Sequence, residues 1–387
     1  MANQTIAFPE PSVTPIYSRK NPFPGRMLVN RRLSSPDSEK DTRHLEISFE
    51  GSGLSYEVGD SMAVYPTNDP DLVAEILKAL GAQGDEPITT KTGTTTLREA
   101  LSRDCGITQP TPKLLKVIAE RASTAPNFKE LLKPERKQDL DNYLWGLEVI
   151  DFLVDRPSVK FLPQEFVGLL PKLQPRLYSI ASSLKVHPNA VHFIVDVVRF
   201  TSHGRLRNGV CSTFLAERCA YSPAPIYPTT SAFRLPEESA APIIMVGPGT
   251  GVAPFRAFLQ ERQATGARGK TWLFFGAQHE KSDFYYKEDF EKFIAEGVLR
   301  RIDTAFSRDQ AHKIYVQDRM KEASGEIWKW LEEGAYFYVC GDAKRMAKDV
   351  DATLRQIVQE GAGTSVEEAN SYVEKLKSEK RYRRDVY

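Results

Sequence analysis

The sequence predicts a multidomain chain: an antiparallel β-barrel domain with a helical insertion, followed by an α/β doubly wound domain on a parallel sheet. Three observations predict it. Residues 21–66 break into short alternating runs such as HLEISFE and MAVYP, separated by Gly, Pro and Asp. From Pro70 to about Pro171 the apolar spacing turns helical, and strand texture then resumes at RLYSIASS and AVHFIVDVVRF and continues to FRLP at Phe233–Pro236. After Pro236 strand and helix patterns take turns to the end. The expected boundaries are 1–70 with 165–237 for the barrel, 71–164 for the insertion and 238–387 for the α/β domain.

The elements follow in order. Asn68-Asp69-Pro70-Asp71 is a helix start, a side-chain cap with proline in the first turn, and Val73, Ile76, Leu77 and Leu80 fall on one face. The spacing recurs at Leu114, Leu115, Ile118 and Ala119. In the last part the strand-like runs are APIIMVG, TWLFFGA, RIDTAFS and AYFYVCGD, with helices expected from about Val252 and around Lys287 to Ala295. Strands alternating with helices of about a dozen residues predict parallel βαβ units. A Ser365 to Glu368 capping box opens a helix with Val366, Ala369, Val373 and Leu376 on its apolar side, which predicts a docked terminus.

Bulk properties exclude several function classes. Lys and Arg total 52 against 51 for Asp and Glu, a net charge of +1, so no global field selects nucleic acid or an anionic membrane. No run approaches the roughly 18 apolar residues of a membrane span. Cys105, Cys211, Cys219 and Cys340 show no CxxC spacing, and the first residues lack a basic-then-apolar leader, which predicts a reduced, cytoplasmic protein. The six histidines form no HxxxH or HExxH pair, so no metal centre is expected, and no GxSxG elbow points to a hydrolase.

Three segments carry candidate chemistry. In MVGPGTGVAPFRAFLQER (residues 245–262), Gly247, Gly249 and Gly251 let backbone approach a bulky anion, Thr250 adds a hydroxyl, and the following helix offers free N–H groups and its positive dipole end. A tight structural connection would use the same glycines. In SRDQAHKIYVQ (307–317), an extended KIYVQ projects Lys313, Tyr315 and Gln317 from one side. With Ser307 and Arg308 these residues predict a pocket for a phosphate monoester beside a stacked adenine, favouring NADP over NAD. In RLYSIASS, Arg176 and Tyr178 share a face, so a guanidinium meets a pyrophosphate while a ring lies on an aromatic ligand. Ser179 reaches the same ligand only through a bend. Gly209, Val210, Cys211 and Ser212 of NGVCSTFL offer N–H groups and a hydroxyl at another helix start. Alone, Arg-x-Tyr-Ser is more often a structural strand edge.

Taken in order, NPF, YEVGDSMAVYPTND, RLYSIASS, FRLP, GPGTGVAPFRAF, SRDQ with KIYVQ, YVCGDAKRMAKDV and the terminal RRDVY resemble the diflavin reductase family over nearly the whole chain from about Asn21. That family includes NADPH-cytochrome reductases and the reductase half of nitric oxide synthases. Within it the chain is most similar to the sulfite reductase flavoprotein group, on WLFFGAQH, RIDTAFSRDQ, IYVQD and RYRRDVY. The resemblance implies FAD held by Arg176, Tyr178, Ser179, Gly209, Val210, Cys211 and Ser212, with Tyr178 on one face of the isoalloxazine and Tyr387 on the other. It implies NADPH held by Gly249, Thr250, Ser307, Arg308, Lys313, Tyr315, Gln317, Asp342 and Met346. Ser179, Cys340, Asp385 and Tyr387 are the implied catalytic group beside the reacting rings. The plain alternatives are a buried structural thiol for Cys340, a solvated charge for Asp385 and a frayed end for Tyr387. Gln278 stands where cytochrome reductases carry an arginine, which shifts phosphate selectivity onto Arg308 and Lys313.

Full-length members of that family begin with an FMN-carrying flavodoxin-like domain, whereas residues 1–20 are all that precede the barrel here. The resemblance therefore implies FAD and NADPH without FMN, and a separate electron acceptor: a flavodoxin-like protein, a ferredoxin or a sulfite reductase haemoprotein subunit. The expected function is FAD-dependent hydride acceptance from NADPH, with electrons passed singly to that acceptor in assimilatory sulfite reduction. The alternatives are a ferredoxin or flavodoxin NADP reductase, and a non-catalytic structural subunit of a redox complex. Intact Ser179, Cys340, Asp385 and Tyr387 argue against the last.

Overall fold

Period-two alternation builds the first domain. The computed structural model describes residues 17–90, 93–122 and 126–387. It opens with β1 (Phe23–Arg32), β2 (Thr42–Ser48) and β3 (Ser61–Val64). A helical excursion follows. Its first helix, Pro70–Leu80, is capped by the Asp69 side chain and ends at Gly81 in the left-handed conformation (φ 70°), with Val73, Ile76 and Leu77 buried. The excursion also contains a hairpin, β4 (Pro87–Thr90) with β5 (Gly93–Thr96), which helical spacing does not predict. Its threonine-rich strands favour the pleated conformation and bury only Ile88.

The barrel resumes at β6 (Arg176–Ser179) and β7 (Ala190–Asp196), carries a second hairpin of β8 (Arg199–Ser202) and β9 (Arg205–Asn208), and is completed by β10 (Ala224–Thr229). The order β6-β3-β10-β1-β2-β7 is antiparallel throughout, and the two edges meet where Ala181 N–H donates to the His192 carbonyl at 2.9 Å. Leu45, Ile47, Met62, Phe193, Val195 and Ile226 fill the interior. Phe233–Pro236 is not a strand. Phe233 leaves the sheet and stacks on Phe258 of the second domain, ring centroids 5.6 Å apart, so aromatic burial outweighs the extended texture there.

The second domain holds β11 (Ile243–Val246), β12 (Thr271–Ala277), β13 (Arg301–Phe306), β14 (Tyr336–Gly341) and β15 (Tyr382–Val386), all parallel in the order β13-β12-β11-β14-β15. Ile244, Trp272, Phe274, Phe337 and Val339 feed one core, while Met245, Leu273, Phe275, Tyr338 and Cys340 feed another across the sheet. Burial on both faces is what helices packed on each side of a parallel sheet require. Strand order reverses between β11 and β14, so their carboxyl ends form the switch-point crevice where such sheets bind ligands. The Ser365 capping box forms as expected, and the helix it opens, Val366–Ser378, leads into β15. Among the described residues, no helix is long and apolar enough to cross a membrane.

Gly251 lies at that crevice, where a Cβ would sit 2.2 Å from the Cys340 carbonyl oxygen. Both partners are backbone, so neither yields without moving a strand. Gly251→Ala is expected to cost about 1–3 kcal/mol of stability, read as a lower denaturation midpoint of the purified protein.

Candidate functional site

The parallel register of β14 and β15 sets Cys340 opposite Asp385. Ser179, the last residue of β6 at the barrel edge, donates from Oγ to Asp385 Oδ2 at 2.6 Å, and Cys340 Sγ faces the same oxygen at 3.7 Å. Three residues from three distant parts of the chain thus converge at the domain junction. Tyr387 closes the group: its hydroxyl lies 2.9 Å from Thr250 Oγ1, and its backbone N–H donates to the Gly341 carbonyl at 3.1 Å. The terminus is therefore docked, although Tyr387 itself remains 55% exposed.

Burial pushes the Cys340 thiol well above the usual range, and the Asp385 carboxylate adds to the shift. Burial likewise pushes Cys105 up to about 11 and Cys211 and Cys219 up to about 12. All four cysteines are free and buried. The holoprotein is expected to leave them unreacted with a disulfide-exchange reagent at pH 8 and to release four thiols only after denaturation. Rapid native labelling of Cys340 would show that the thiol is reached as a thiolate.

The glycine turn does less by backbone freedom than its composition predicts. A Cβ on Gly247 would meet the Gly251 carbonyl at 2.5 Å and the Phe255 ring at 2.6 Å, so Gly247 and Gly251 are glycines for packing. Gly249, at φ +58° with open space around its Cβ position, is the one that leaves the turn bare. Gly249, Ser307, Tyr315, Gln317, Asp342 and Met346 line one cavity of about 440 Å³. Asp342 caps the helix Met346–Ala362, accepting from the backbone N–H groups of Arg345 and Met346, which hold its carboxyl below the usual range.

Three expected members do not line this cavity. Thr250 is engaged by Tyr387, Arg308 pairs with Glu39 of the barrel domain at 2.5 Å, and Lys313 is exposed. KIYVQ is not extended: a helix spans Val316–Glu322, and the Asp318 carboxylate accepts from Tyr315 N–H at 2.9 Å. That capping interaction replaces the period of two, so Tyr315 and Gln317 reach the cavity from a helix start and Lys313 is left behind. Lys40 and Arg345 also line the cavity and escaped sequence reasoning. Arg345 lies within YVCGDAKRMAKDV and was open to recognition there; Lys40 arrives from the β1–β2 connection, for which no local signal exists.

On the barrel side, Arg176 is exposed and Tyr178 is half-buried against Phe193, ring centroids 5.8 Å apart. Burial raises the Tyr178 phenol well above its usual range. Cys211 is buried. Ser212 Oγ accepts from Val198 N–H at 3.1 Å and contacts the Gly209 carbonyl at 3.3 Å, so this hydroxyl shapes the turn. Gly209 and Val210 line a cavity of about 530 Å³ with Trp145 and Phe200, an aromatic surface that sequence reasoning missed. Trp145 is 72% exposed. A helix start beside aromatic rings fits a flavin dinucleotide, and the bare Gly249 turn with its cavity fits a nicotinamide dinucleotide. A larger cleft of about 1130 Å³, lined among others by Arg234, Arg262 and Arg383, contains none of these residues.

Comparison with known proteins agrees with this division. Residues 15–214 match the FAD binding domain family, and residues 245–352 match the oxidoreductase NAD-binding domain. The chain belongs to the FAD-binding domain family. Its FAD-binding domain thus includes the Tyr178 strand and the turn at Gly209, while the NAD-binding domain runs from β11 past Asp342. The chain is 46% identical to the sulfite reductase [NADPH] flavoprotein alpha-component of Bacillus subtilis (strain 168), 43% to that of Mannheimia succiniciproducens and 42% to that of Escherichia coli O9:H4 (strain HS). Each match covers 96% of this chain, and the chain spans 62% of the length of each of these relatives.

Proposed function

We propose that this chain is an NADPH-dependent flavoprotein reductase that serves sulfite reduction in the cytoplasm, delivering electrons to a sulfite reductase haemoprotein subunit. The observation that carries the reading is the Ser179–Asp385–Cys340 group, built across the domain junction where Gly251 of the glycine turn packs on the Cys340 backbone. The names of the relatives support the substrate class.

Bound FAD would supply the redox chemistry, taking up a hydride and releasing electrons one at a time. The chain supplies position and charge. Arg176, Tyr178 and the Gly209–Ser212 turn would hold the flavin; Gly249, Ser307, Tyr315, Gln317, Asp342 and Met346 would hold NADPH. Arg345 would meet its phosphates in place of Arg308 and Lys313, joined by Lys40 once its 3.2 Å ion pair with Asp196 opens. The Asp385 carboxylate, fixed by Ser179, favours the positive charge that grows on nicotinamide as hydride leaves. Cys340 presents a neutral, compact thiol that excludes water from that contact. The Tyr387 ring covers the position that nicotinamide must occupy and has to swing away from Thr250 to admit it.

Anaerobic titration of the FAD-loaded protein tests the hydride half. NADPH is expected to bleach the flavin absorbance rapidly, and NADH far more slowly. Bleaching by neither rejects the reading and favours a non-catalytic subunit. With the haemoprotein added, NADPH is expected to drive sulfide formation from sulfite. Turnover with added ferredoxin or flavodoxin but none with the haemoprotein would reassign the chain as an NADP reductase of those carriers.

A further inference from the structure

We infer that the outer face of the barrel carries a site for one divalent transition-metal ion of the zinc type, formed by His44, Glu46 and His192. Histidine spacing gives no sign of it, because the ligands come from two strands. His44 and Glu46 are two apart on β2 and project from one face, and β7 pairs with β2 so that His192 stands directly opposite Glu46. The alternate residues Leu45, Ile47 and Phe193 point into the barrel. The second domain covers the outward face, so His44 and His192 are buried at 3% and 1% exposure.

The donor atoms are already gathered. His44 Nε2 lies 2.9 Å from Glu46 Oε1, His192 Nε2 lies 3.7 Å from Glu46 Oε2, and the three ligand atoms fall within 4.8 Å of one another. A tetrahedral zinc ion with bonds of about 2.0–2.1 Å spaces its ligands about 3.3 Å apart, so the Glu46 carboxylate, which now meets the two histidines with different oxygens, has to turn one oxygen towards both. Two imidazoles and a carboxylate form a known three-ligand set for zinc, leaving a fourth position for water. His192 Nε2 has no hydrogen-bond partner although it is buried, so a lone pair or proton stands unused in the middle of the group. The outer nitrogen of His44 is supported as metal-bound histidines are: its Nδ1 lies 2.6 Å from the Tyr286 hydroxyl, which can accept the Nδ1 proton when Nε2 holds a metal.

Two cations oppose the ion, Arg31 across from His44 on β1 and Arg256, and the opposition of Arg256 is diagnostic. Arg256 Nη1 approaches His192 Nδ1 at 3.5 Å, whereas metal on Nε2 requires a proton on Nδ1 and would set two donors face to face. Arg256 also donates to the Ala181 carbonyl at 2.9 Å and to Asp289 at 2.7 Å, so it keeps two acceptors when the histidine contact opens. The guanidinium therefore weakens the site without closing it.

Calorimetric titration of chelator-treated, FAD-loaded protein with Zn²⁺ tests the inference. One Zn²⁺ per chain is expected to bind. His192→Gln and Glu46→Gln are each expected to weaken binding at least about tenfold, while His279→Gln, at an exposed histidine paired with Asp309, leaves it unchanged. Arg256→Gln is expected to tighten binding, a direction that general loss of structure does not produce. Should His192→Gln fail to fold, Glu46→Gln carries the comparison. Absence of stoichiometric binding, or undiminished binding in the folded His192 and Glu46 variants, would overturn the site and leave the cluster as a structural clasp between the domains.

Discussion

Asp385→Asn is expected to slow flavin reduction by NADPH about a hundredfold while leaving the affinity for NADPH nearly unchanged. The substitution keeps the shape and removes the charge at the oxygen that Ser179 and Cys340 share. Charge at that point matters chiefly as nicotinamide becomes cationic, so the loss belongs in the hydride-transfer rate and not in ground-state binding. Anaerobic stopped-flow absorbance separates the two. Equal loss of rate and affinity would make Asp385 a binding residue, and an unchanged rate would remove it from the chemistry. Ser179→Ala provides the companion test, because it frees the carboxylate without removing its charge and is expected to have the smaller effect.

Deletion of Tyr387 is expected to shift the ratio of kcat/KM for NADPH over NADH towards NADH by about tenfold or more, equivalent to about 1.4 kcal/mol. In the proposed site the ring would cover the nicotinamide position, and it is held by the Thr250 hydroxyl and by backbone bonds at Gly341 and Ala343. Nicotinamide must displace it, and binding energy from the distant phosphate helps to do so. Once the ring is gone, that contribution counts for less and the cofactor without the extra phosphate gains more. Steady-state kinetics with both cofactors measures the change. An unaltered preference would mean that the terminal ring does not gate the nicotinamide.

Much of this architecture is legible in the residues themselves. Ile243 to Val246 and Thr271 to Ala277 alternate between two buried faces, as a parallel strand under helices must. Asp69 before Pro70 and Ser365 before Glu368 announce helix starts through local chemistry that operates wherever the segments lie. KIYVQ shows the limit. Its residues suit a strand, yet one hydrogen bond from Tyr315 N–H to Asp318 turns it into a helix start and separates Lys313 from Tyr315 and Gln317. Arg308 shows another limit, since a cation next to a candidate pocket found its carboxylate, Glu39, in the other domain.

By itself the sequence determined most strand and helix periodicities, the two-part order of barrel and α/β domain, and the place of the glycine turn, because each depends on neighbours a few positions away; which of its glycines leaves the turn bare was decided by packing. The tertiary structure alone decided that Ser179 reaches Asp385, that Cys340 stands opposite it, and that His192 meets His44 and Glu46. Those meetings depend on the register of distant strands and on the packing of one domain over another. Register is set when a whole apolar face must be buried at once, and no local pattern carries that information.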